Sequence, residues 1–592
     1  MKKLITILFI SLIALSCAFS IESGKNVDAY IIPLTSGIYD DIDALYLISG
    51  KAIPSTSRPW SYSEAELIFS KLESDVVGED LYNNVKAELE SHKPRWAIDE
   101  GFGLGLNIII NPEIYTHTNT EDFTTDTDWS YTYDERPVAA NGTIDLSVND
   151  FFYSYSEFSF AISRYQQLGL EYYDPSTDYP SGIGAIIPAP STWEDTTRGE
   201  LDTGYVVKSS HLYKNKFSTN IPVLVDVLDI DFTFPKRAIA SIGGDNWNVL
   251  FGRERVNWGG SNIGNFTIDD HVGFHEVLRA TMYTSKFKYD WTNLFFDPYP
   301  RVTEDEGTEH EKFKVMMNHR LEFRPLDQLS FAVTESIMYI SKAFELQSFN
   351  PAYIYHQLND RSMFNSLASL EVFVTPFDGL NLYFEFGLDN ATLANEGDSQ
   401  ADANGFLVGA EYTMALKNGY LEAALEYAKT SPIMYRRDEV DFLMAQRCYT
   451  LGADKGNSAS PKLYYIGFPY GPDAKVFHVG ATYKVPSVFE IAFDANFVTK
   501  GAVTMMASHN TEGDNTEKAN LKGTTPSGDK HIKGVELALG AKYEIPAFVS
   551  WLDMSVNANL AYVSKQNYTV STDTYSEKAS DIQFAMGVCL KF

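Results

Sequence analysis

The sequence predicts an all-β protein: a transmembrane antiparallel β-barrel of about 18 strands, preceded by a small N-terminal α-helical bundle. Three observations lead there. The last ten residues alternate with period 2, Phe584, Met586, Val588, Leu590 and the terminal Phe592 on one face, Gln583, Ala585, Gly587, Cys589 and Lys591 on the other. The same alternation recurs along most of the chain after residue 100. Finally, 14% of residues are aromatic, with 36 Tyr and 38 Phe, yet mean hydropathy is only −0.20. A membrane barrel produces that combination, because a lipid-facing aromatic surface is balanced by a polar lumen and polar loops.

In chain order, residues 1–20 read as a signal peptide. Lys2 and Lys3 precede an apolar run from Leu4 to Leu15, and Ala18-Phe19-Ser20 puts small residues at the cleavage positions. The run is too short to span a membrane as a helix. Cys17 invites a lipoprotein reading, but Leu15 stands one place too late for the usual lipobox. Residues 21–97 read as a periplasmic helical bundle. Asp40 or Asp41 is placed to cap a helix carrying Ile42, Leu45 and Ile48 and ended by Gly50. Ser61 and Glu64 have the capping-box spacing before an Ala65, Ile68, Phe69, Leu72 stripe. A third helix starts near Glu79 with Leu81, Tyr82, Val85 and Leu89.

Residues 98–592 read as the outer-membrane barrel. Leu380, Leu382, Phe384, Phe386 and Leu388 face one way, opposite Tyr383, Glu385 and Asp389. Val535, Leu537 and Leu539 oppose Glu536 and Lys542, and the polar set of each strand carries full charges. Such strands suit lipid on one side and water or a plug on the other. The strands expected are 101–114, 141–149, 151–163, 236–243, 246–255, 274–285, 286–297, 313–325, 329–339, 362–376, 380–390, 404–416, 420–430, 474–485, 488–499, 532–545, 552–564 and 580–592. Tight turns at Asn149-Asp150, 243–246, 325–328, 376–379, 417–419, 486–487 and near Pro546 belong to the periplasmic side. Long polar loops at about 116–140, 299–312, 340–361, 391–403, 431–473, 499–531 and 565–578 belong outside. The excursion 164–235 folds as a plug, or supplies two further strands at 201–213 and 217–227.

A net charge of −32 argues against nucleic acid, whose phosphates need clustered Lys and Arg. Acidic loops instead suit a surface bathed in divalent cations. Cys17 leaves with the signal, and Cys448 and Cys589 fall in a loop and in the last strand, an unpromising pair for a disulfide. No CxxC or His/Cys spacing marks a metal site. His271 and His275, four apart beside Asp269 and Asp270, are a chance spacing in a loop that enters a strand. No metal and no cofactor are expected.

Three blocks in order carry the most specific motifs of the chain. The first runs Phe251-Gly252-Arg253-Glu254-Arg255-Val256-Asn257-Trp258-Gly259-Gly260 to Ser261-Asn262-Ile263-Gly264-Asn265-Phe266, followed by Thr267-Ile268-Asp269-Asp270. The second is Asn318-His319-Arg320-Leu321-Glu322-Phe323-Arg324-Pro325 with Glu335 in the next strand; the third runs Asn350-Pro351-Ala352-Tyr353-Ile354-Tyr355-His356, then Asn365 and Leu388-Asp389-Asn390. Together these blocks resemble the capsule-assembly Wzi family, and the resemblance covers about 240–390. It implies an 18-strand outer-membrane barrel, a periplasmic helical bundle, and a lectin-like role holding capsular polysaccharide at the cell surface. Glu335 breaks the alternation, since it shares parity with Phe331, Val333 and Ile337; a bulge or a register slip would explain it.

The chemistry these blocks offer is binding. Arg253 and Arg255 lie two apart on one strand, so on a luminal face they could hold carboxylates of an acidic glycan bidentately. Trp258 could stack on a sugar ring, and Asn257 and Asn262 complete the candidate glycan site. The alternative is structural: Gly259, Gly260 and Gly264 serve a turn, and the arginines pair with Glu322, Glu371 or Glu385 across the lumen. An enzyme is not expected. There is no GxSxG, and only His319 beside Asn318 keeps an acid/His arrangement open. Two classes remain: a non-catalytic surface anchor for polysaccharide, and an outer-membrane porin or solute channel. The partners expected are outer-membrane lipid, surface or capsular polysaccharide, and the outer-membrane assembly machinery, which reads a closing strand ending in Phe.

Overall fold

The structure, a computed structural model, describes residues 23–592 apart from 124–128, 132–136, 163–165, 168–206, 209–215, 222–229, 232–234, 297–312, 342–348, 353, 356–363, 391–400, 438–439, 453–455, 504–510, 512, 548 and 550. The expected signal segment, 1–20, lies outside the described residues, as does most of 164–235.

Eighteen strands form a closed antiparallel barrel. They are β1 (Phe102–Ile110, continued by Glu113–His117), β2 (Ala140–Val148), β3 (Phe152–Ile162), β4 (Ala238–Gly244), β5 (Trp247–Glu254) and β6 (His275–Tyr283). Next come β7 (Phe287–Phe296), β8 (Phe313–Leu326), β9 (Leu329–Ser341), β10 (Phe364–Phe377), β11 (Leu380–Asn390) and β12 (Ala403–Leu416). The last are β13 (Gly419–Thr430), β14 (Ala474–Val485), β15 (Phe489–Lys500), β16 (Lys530–Ile545), β17 (Asp553–Thr569) and β18 (Ala579–Lys591). Closure comes from the chain's end. Lys591 pairs with Ile109, Met586 with Ile114, and the Phe592 N–H donates to the Ile108 carbonyl at 2.8 Å. β1 is interrupted at Asn111-Pro112, yet the Pro112 carbonyl still accepts from Val588, because only the proline N–H is missing.

The alternation sorts residues as expected. On β11, Leu382 and Phe384 are exposed on the lipid side, and Tyr383, Glu385 and Asp389 are buried in the lumen. The short turns gather at one end, with Asn149 at φ 47° and Gly379 at φ 84°, left-handed conformations that Asn and Gly adopt at little cost. Short turns mark the periplasmic end.

Against that end pack helices α1 (Ile38–Ile48), α2 (Tyr62–Phe69), α3 (Ser74–Val77) and α4 (Glu79–Glu90). They share an apolar core of Ile42, Leu45, Trp60, Phe69, Leu81 and Val85, joined by Tyr420 of β13. Backbone bonds tie the unit to the turns: Ala29 N–H to the Asp150 carbonyl, Ala52 N–H to Asp327, Gly379 N–H to Leu47. Ser61 caps α2, accepting from the Glu64 N–H at 3.3 Å. Glu64 does not reach back to close the box. Its carboxylate takes Lys288 Nζ of β7 at 2.5 Å instead, an ion pair with the barrel wall. α1 starts at Ile38 after Gly37, so Asp40 and Asp41 sit in its first turn rather than at the cap, where their charge suits the helix dipole.

Two expected loops carry structure. Within 431–473 a hairpin pairs Leu443–Gly452 with Gly456–Tyr465. Within 499–531 a short helix α5 spans Thr516–Leu521, capped by Asn515. Glu335 needs neither bulge nor slip. β9 keeps its register with β10 throughout, and Glu335 lies on the outward face. There it accepts the Tyr355 N–H at 3.2 Å, while Tyr289 donates to the Pro351 carbonyl at 2.5 Å. A strap carrying Phe349, Pro351 and Tyr355 is thus bound onto the outside of the wall, covering Val315, Met317, Ile337 and Tyr339.

Candidate functional site: a bore crossed by its own chain

β5 ends at Glu254, and the chain then turns inward. Residues 255–272 cross the lumen, burying Val256, Trp258, Ile263, Phe266, Ile268 and Val272. Gly259 (φ 133°) and Gly264 (φ 102°) make the turns; a Cβ on Gly264 would meet the Pro469 ring at 2.1 Å. The turn role expected for these glycines is therefore the observed one.

Carboxylates on the far wall hold this segment. Glu426 of β13 accepts the N–H groups of Asn262 (2.9 Å) and Ile263 (3.1 Å), and Glu385 of β11 accepts that of Phe266 at 2.8 Å. Within the loop, Asp269 accepts from the Asn265 N–H at 2.8 Å and from Asn265 Nδ2 at 3.1 Å. Buried backbone N–H groups require such partners. Tyr435 closes the far side, donating to the Phe266 carbonyl at 2.8 Å and accepting from the Phe468 N–H at 3.0 Å.

The N-terminal unit meets this segment from below. Ser57 and Arg58 pair with Trp258 and Asn257 as a two-stranded ladder inside the barrel. Around them the wall supplies buried ion pairs. Arg320 of β8 donates to both oxygens of Glu371 on β10, to Glu322 at 3.0 Å and to Thr56 Oγ1 at 2.5 Å. Its guanidinium lies 5.7 Å from the Trp258 ring centroid. Arg279 of β6 pairs with Asp290 of β7 at 2.7 Å and reaches Ser57 Oγ at 2.8 Å. In the helical unit, burial pushes the Asp41 carboxyl up to about 7, opposed by nearby Lys484, which it meets at 2.9 Å. Burial likewise pushes Asp43 up to about 6, opposed by Arg58.

The five residues expected to hold glycan are placed as follows. Arg253 is half-buried on the outward face of β5, not in the lumen. It pairs with Glu276 of β6 (Nε at 2.8 Å), donates to the Pro235 carbonyl, and lies 3.9 Å from the Phe274 ring centroid. Arg255 lies past the strand's end, with Nε 3.4 Å from the Gly273 carbonyl. The two share no luminal face, because the strand stops between them. Trp258 is fully buried, so neither ring face is open to a sugar. Asn257 accepts from Asn265 Nδ2 at 2.9 Å, and Asn262 is fixed through its N–H. The cross-lumen partners Glu322 and Glu371 are taken by Arg320, not by Arg253 or Arg255. His271 faces Asp269 at 2.7 Å, while His275 accepts from the Val256 N–H at 3.1 Å.

Fold and site together define an outer-membrane β-barrel whose bore is filled by its own chain. The chain belongs to the capsule assembly protein Wzi family, whose sequence model matches residues 122–576. Among solved structures, Wzi of Escherichia coli is similar at TM-score 0.53 and 11% identity, over 95% of this chain and 99% of that one. That protein is described as an outer-membrane protein involved in group 1 capsule assembly and a carbohydrate-binding β-barrel. More distant likenesses are Pseudomonas aeruginosa OprD (TM-score 0.35, 11% identity, 83% of this chain and 95% of that one) and the Acinetobacter baumannii channel DcaP (0.31, 12%, 84% and 100%). No curated protein matches the sequence.

Proposed function

We propose that this protein holds or assembles surface polysaccharide at the cell exterior by non-catalytic, lectin-like binding, as a filled barrel and not as a porin or solute channel. One observation carries the choice. The segment that leaves β5 is hydrogen-bonded to β11 and β13, six and eight strands away in a ring of eighteen, so it spans the bore. The N-terminal unit adds a second layer at the periplasmic end. The description of the Escherichia coli relative as carbohydrate-binding supports the ligand class.

Arg253 and Arg255 stand where the chain leaves β5 toward the loop side, and they are the residues of this block proposed to meet an acidic polymer. Asn257, Trp258 and Asn262 act inside the barrel, holding the crossing segment. The test is binding of an acidic polysaccharide to detergent-purified protein carrying Arg253→Gln and Arg255→Gln. Hydrogen bonds to charged groups contribute about 1.5–3 kcal/mol each, so affinity should fall more than about tenfold and fall further with salt. Unchanged affinity with lowered heat stability would make the pair structural.

A further inference from the structure

We propose that the outward face of the last three strands, just above the lipid-facing belt, is a binding site for the phosphorylated, sugar-bearing head group of an outer-leaflet lipid. The inference does not rest on the polysaccharide reading. On β16 the outward positions run Leu539, Leu537, Val535, Lys533 and His531; on β17 they run Leu560, Tyr562, Ser564, Gln566 and Tyr568. Leu539 and Leu560 are exposed, as is Ile582 of β18 beside Tyr562. The apolar belt therefore ends near Tyr562 and Ile582, and polar residues replace it on the same face.

There the side chains form one cluster. Lys533 Nζ lies 4.5 Å from the Tyr568 ring centroid and 4.9 Å from that of Tyr575, and donates to the Tyr575 hydroxyl at 2.9 Å. The two tyrosine rings are 4.8 Å apart, with His531 6.1 Å from Tyr568. Lower down, Lys578 Nζ lies 5.4 Å from the Tyr562 ring centroid. Acids of this region are occupied: Asp573 accepts from Tyr568 at 2.9 Å, and Asp529 from Ser571 at 2.6 and 2.8 Å. Glu577 precedes Lys578. Two lysines, Lys533 and Lys578, belong to this face, whereas Lys565 has the opposite parity and donates to the Asp122 carbonyl at 2.6 Å.

Height selects the ligand. Lys578 sits at the Tyr562 level, and Lys533 faces Gln566, four residues further along β17. At about 3.3 Å per residue and a tilt of about 40°, the two levels differ by about 10 Å. One phosphate cannot meet both cations, but a phosphorylated oligosaccharide head group can, with the paired tyrosines as a platform for its sugar. Lysines and tyrosines at the edge of a lipid-facing belt are placed for lipid phosphates, because acyl chains below bring the head group to them.

The experiment is lipid retention by detergent-purified full-length protein, read by native mass spectrometry. The probes are bis-phosphorylated lipid A, the same lipid without phosphates, and phosphatidylcholine, against wild type, Lys533→Gln/Lys578→Gln and Tyr568→Ala. Heat-modifiable migration on a denaturing gel confirms that each variant is a folded barrel. Wild type should retain the bis-phosphorylated lipid at least tenfold better than the other two probes. The lysine pair variant should lose that preference, and Tyr568→Ala should weaken retention of both glycolipids. Equal retention by wild type and the lysine variant would overturn the proposal. So would unchanged lipid retention together with loss of acidic polysaccharide binding, which would assign the ledge to the polymer.

Discussion

Glu426 accepts the backbone N–H of Asn262 at 2.9 Å, although the strand that delivers Asn262 lies eight strands from the one that carries Glu426. The bond pins the middle of the crossing segment to the opposite wall. Glu426→Ala, combined with Glu385→Ala, leaves the Asn262, Ile263 and Phe266 N–H groups without their acceptors. A buried unsatisfied donor costs about 1–3 kcal/mol. The double variant should lose its heat-resistant migration at lower temperature than wild type, and protease sites within 255–272 should become accessible. Wild-type behaviour in both assays would show that the carboxylates do not hold the segment.

Arg320 is the larger single dependence. It bridges Glu371, Glu322 and Thr56 while fully buried. Removing one member of a buried charge network strands the others, typically at about 3–5 kcal/mol. Arg320→Ala should therefore lower heat stability more than Arg253→Ala, whose partner Glu276 has a side chain 43% exposed. Equal effects in a thermal series would contradict this ranking.

The docking of α1 should weaken as pH rises. Burial raises Asp41 from 3.8 to about 7 in the folded protein. A carboxyl whose folded value is raised contributes stability that is fully present below 3.8 and lost as pH climbs through about 7. One proton limits the slope to about 1.4 kcal/mol per pH unit. Hydrogen-exchange protection factors in 38–48, corrected for the intrinsic pH dependence of amide exchange, should be higher at pH 5 than at pH 8, and Asp41→Asn should flatten the difference. Lower protection at pH 5 would reverse the sign and refute it.

The closing strand depends on its apolar face and its last residue. Phe592 bonds Ile108 in both directions, its ring lies 6.1 Å from Trp551, and Phe584 points outward. Deleting Phe592, or replacing Phe584 and Phe592 with Asp, should lower the amount of assembled barrel. The ladder loses its closing bonds, and an acid on the lipid face costs up to about 2–4 kcal/mol, the range for Lys or Arg at mid-membrane. Surface levels equal to wild type would count against it.

Most of the wall was legible in the sequence because a lipid face and a luminal face impose period 2 on every strand, as Leu382 to Asp389 illustrate. The hairpin ends were legible from their turn residues, Asn149 and Gly379 among them. The crossing segment was not. Val256, Trp258, Ile263, Phe266 and Ile268 follow no helical or strand period, since their burial is set by a bore built from other strands. A usable signal lay in the luminal sets themselves: Arg320, Glu371, Glu385 and Glu426 alternate with lipid-facing residues, and such charges need polar partners in a filled lumen. Nor could the outside strap be read, because Glu335 looked like a fault of register until Tyr355 was seen bonded to it.

The central claim is that the chain fills its own barrel. Single-channel recording of wild-type protein in planar bilayers tests it most directly, with the Glu385→Ala/Glu426→Ala variant alongside. The filled barrel predicts little or no steady conductance from wild type and frequent openings from the variant. Large, steady conductance from wild type would contradict it and make the protein a channel.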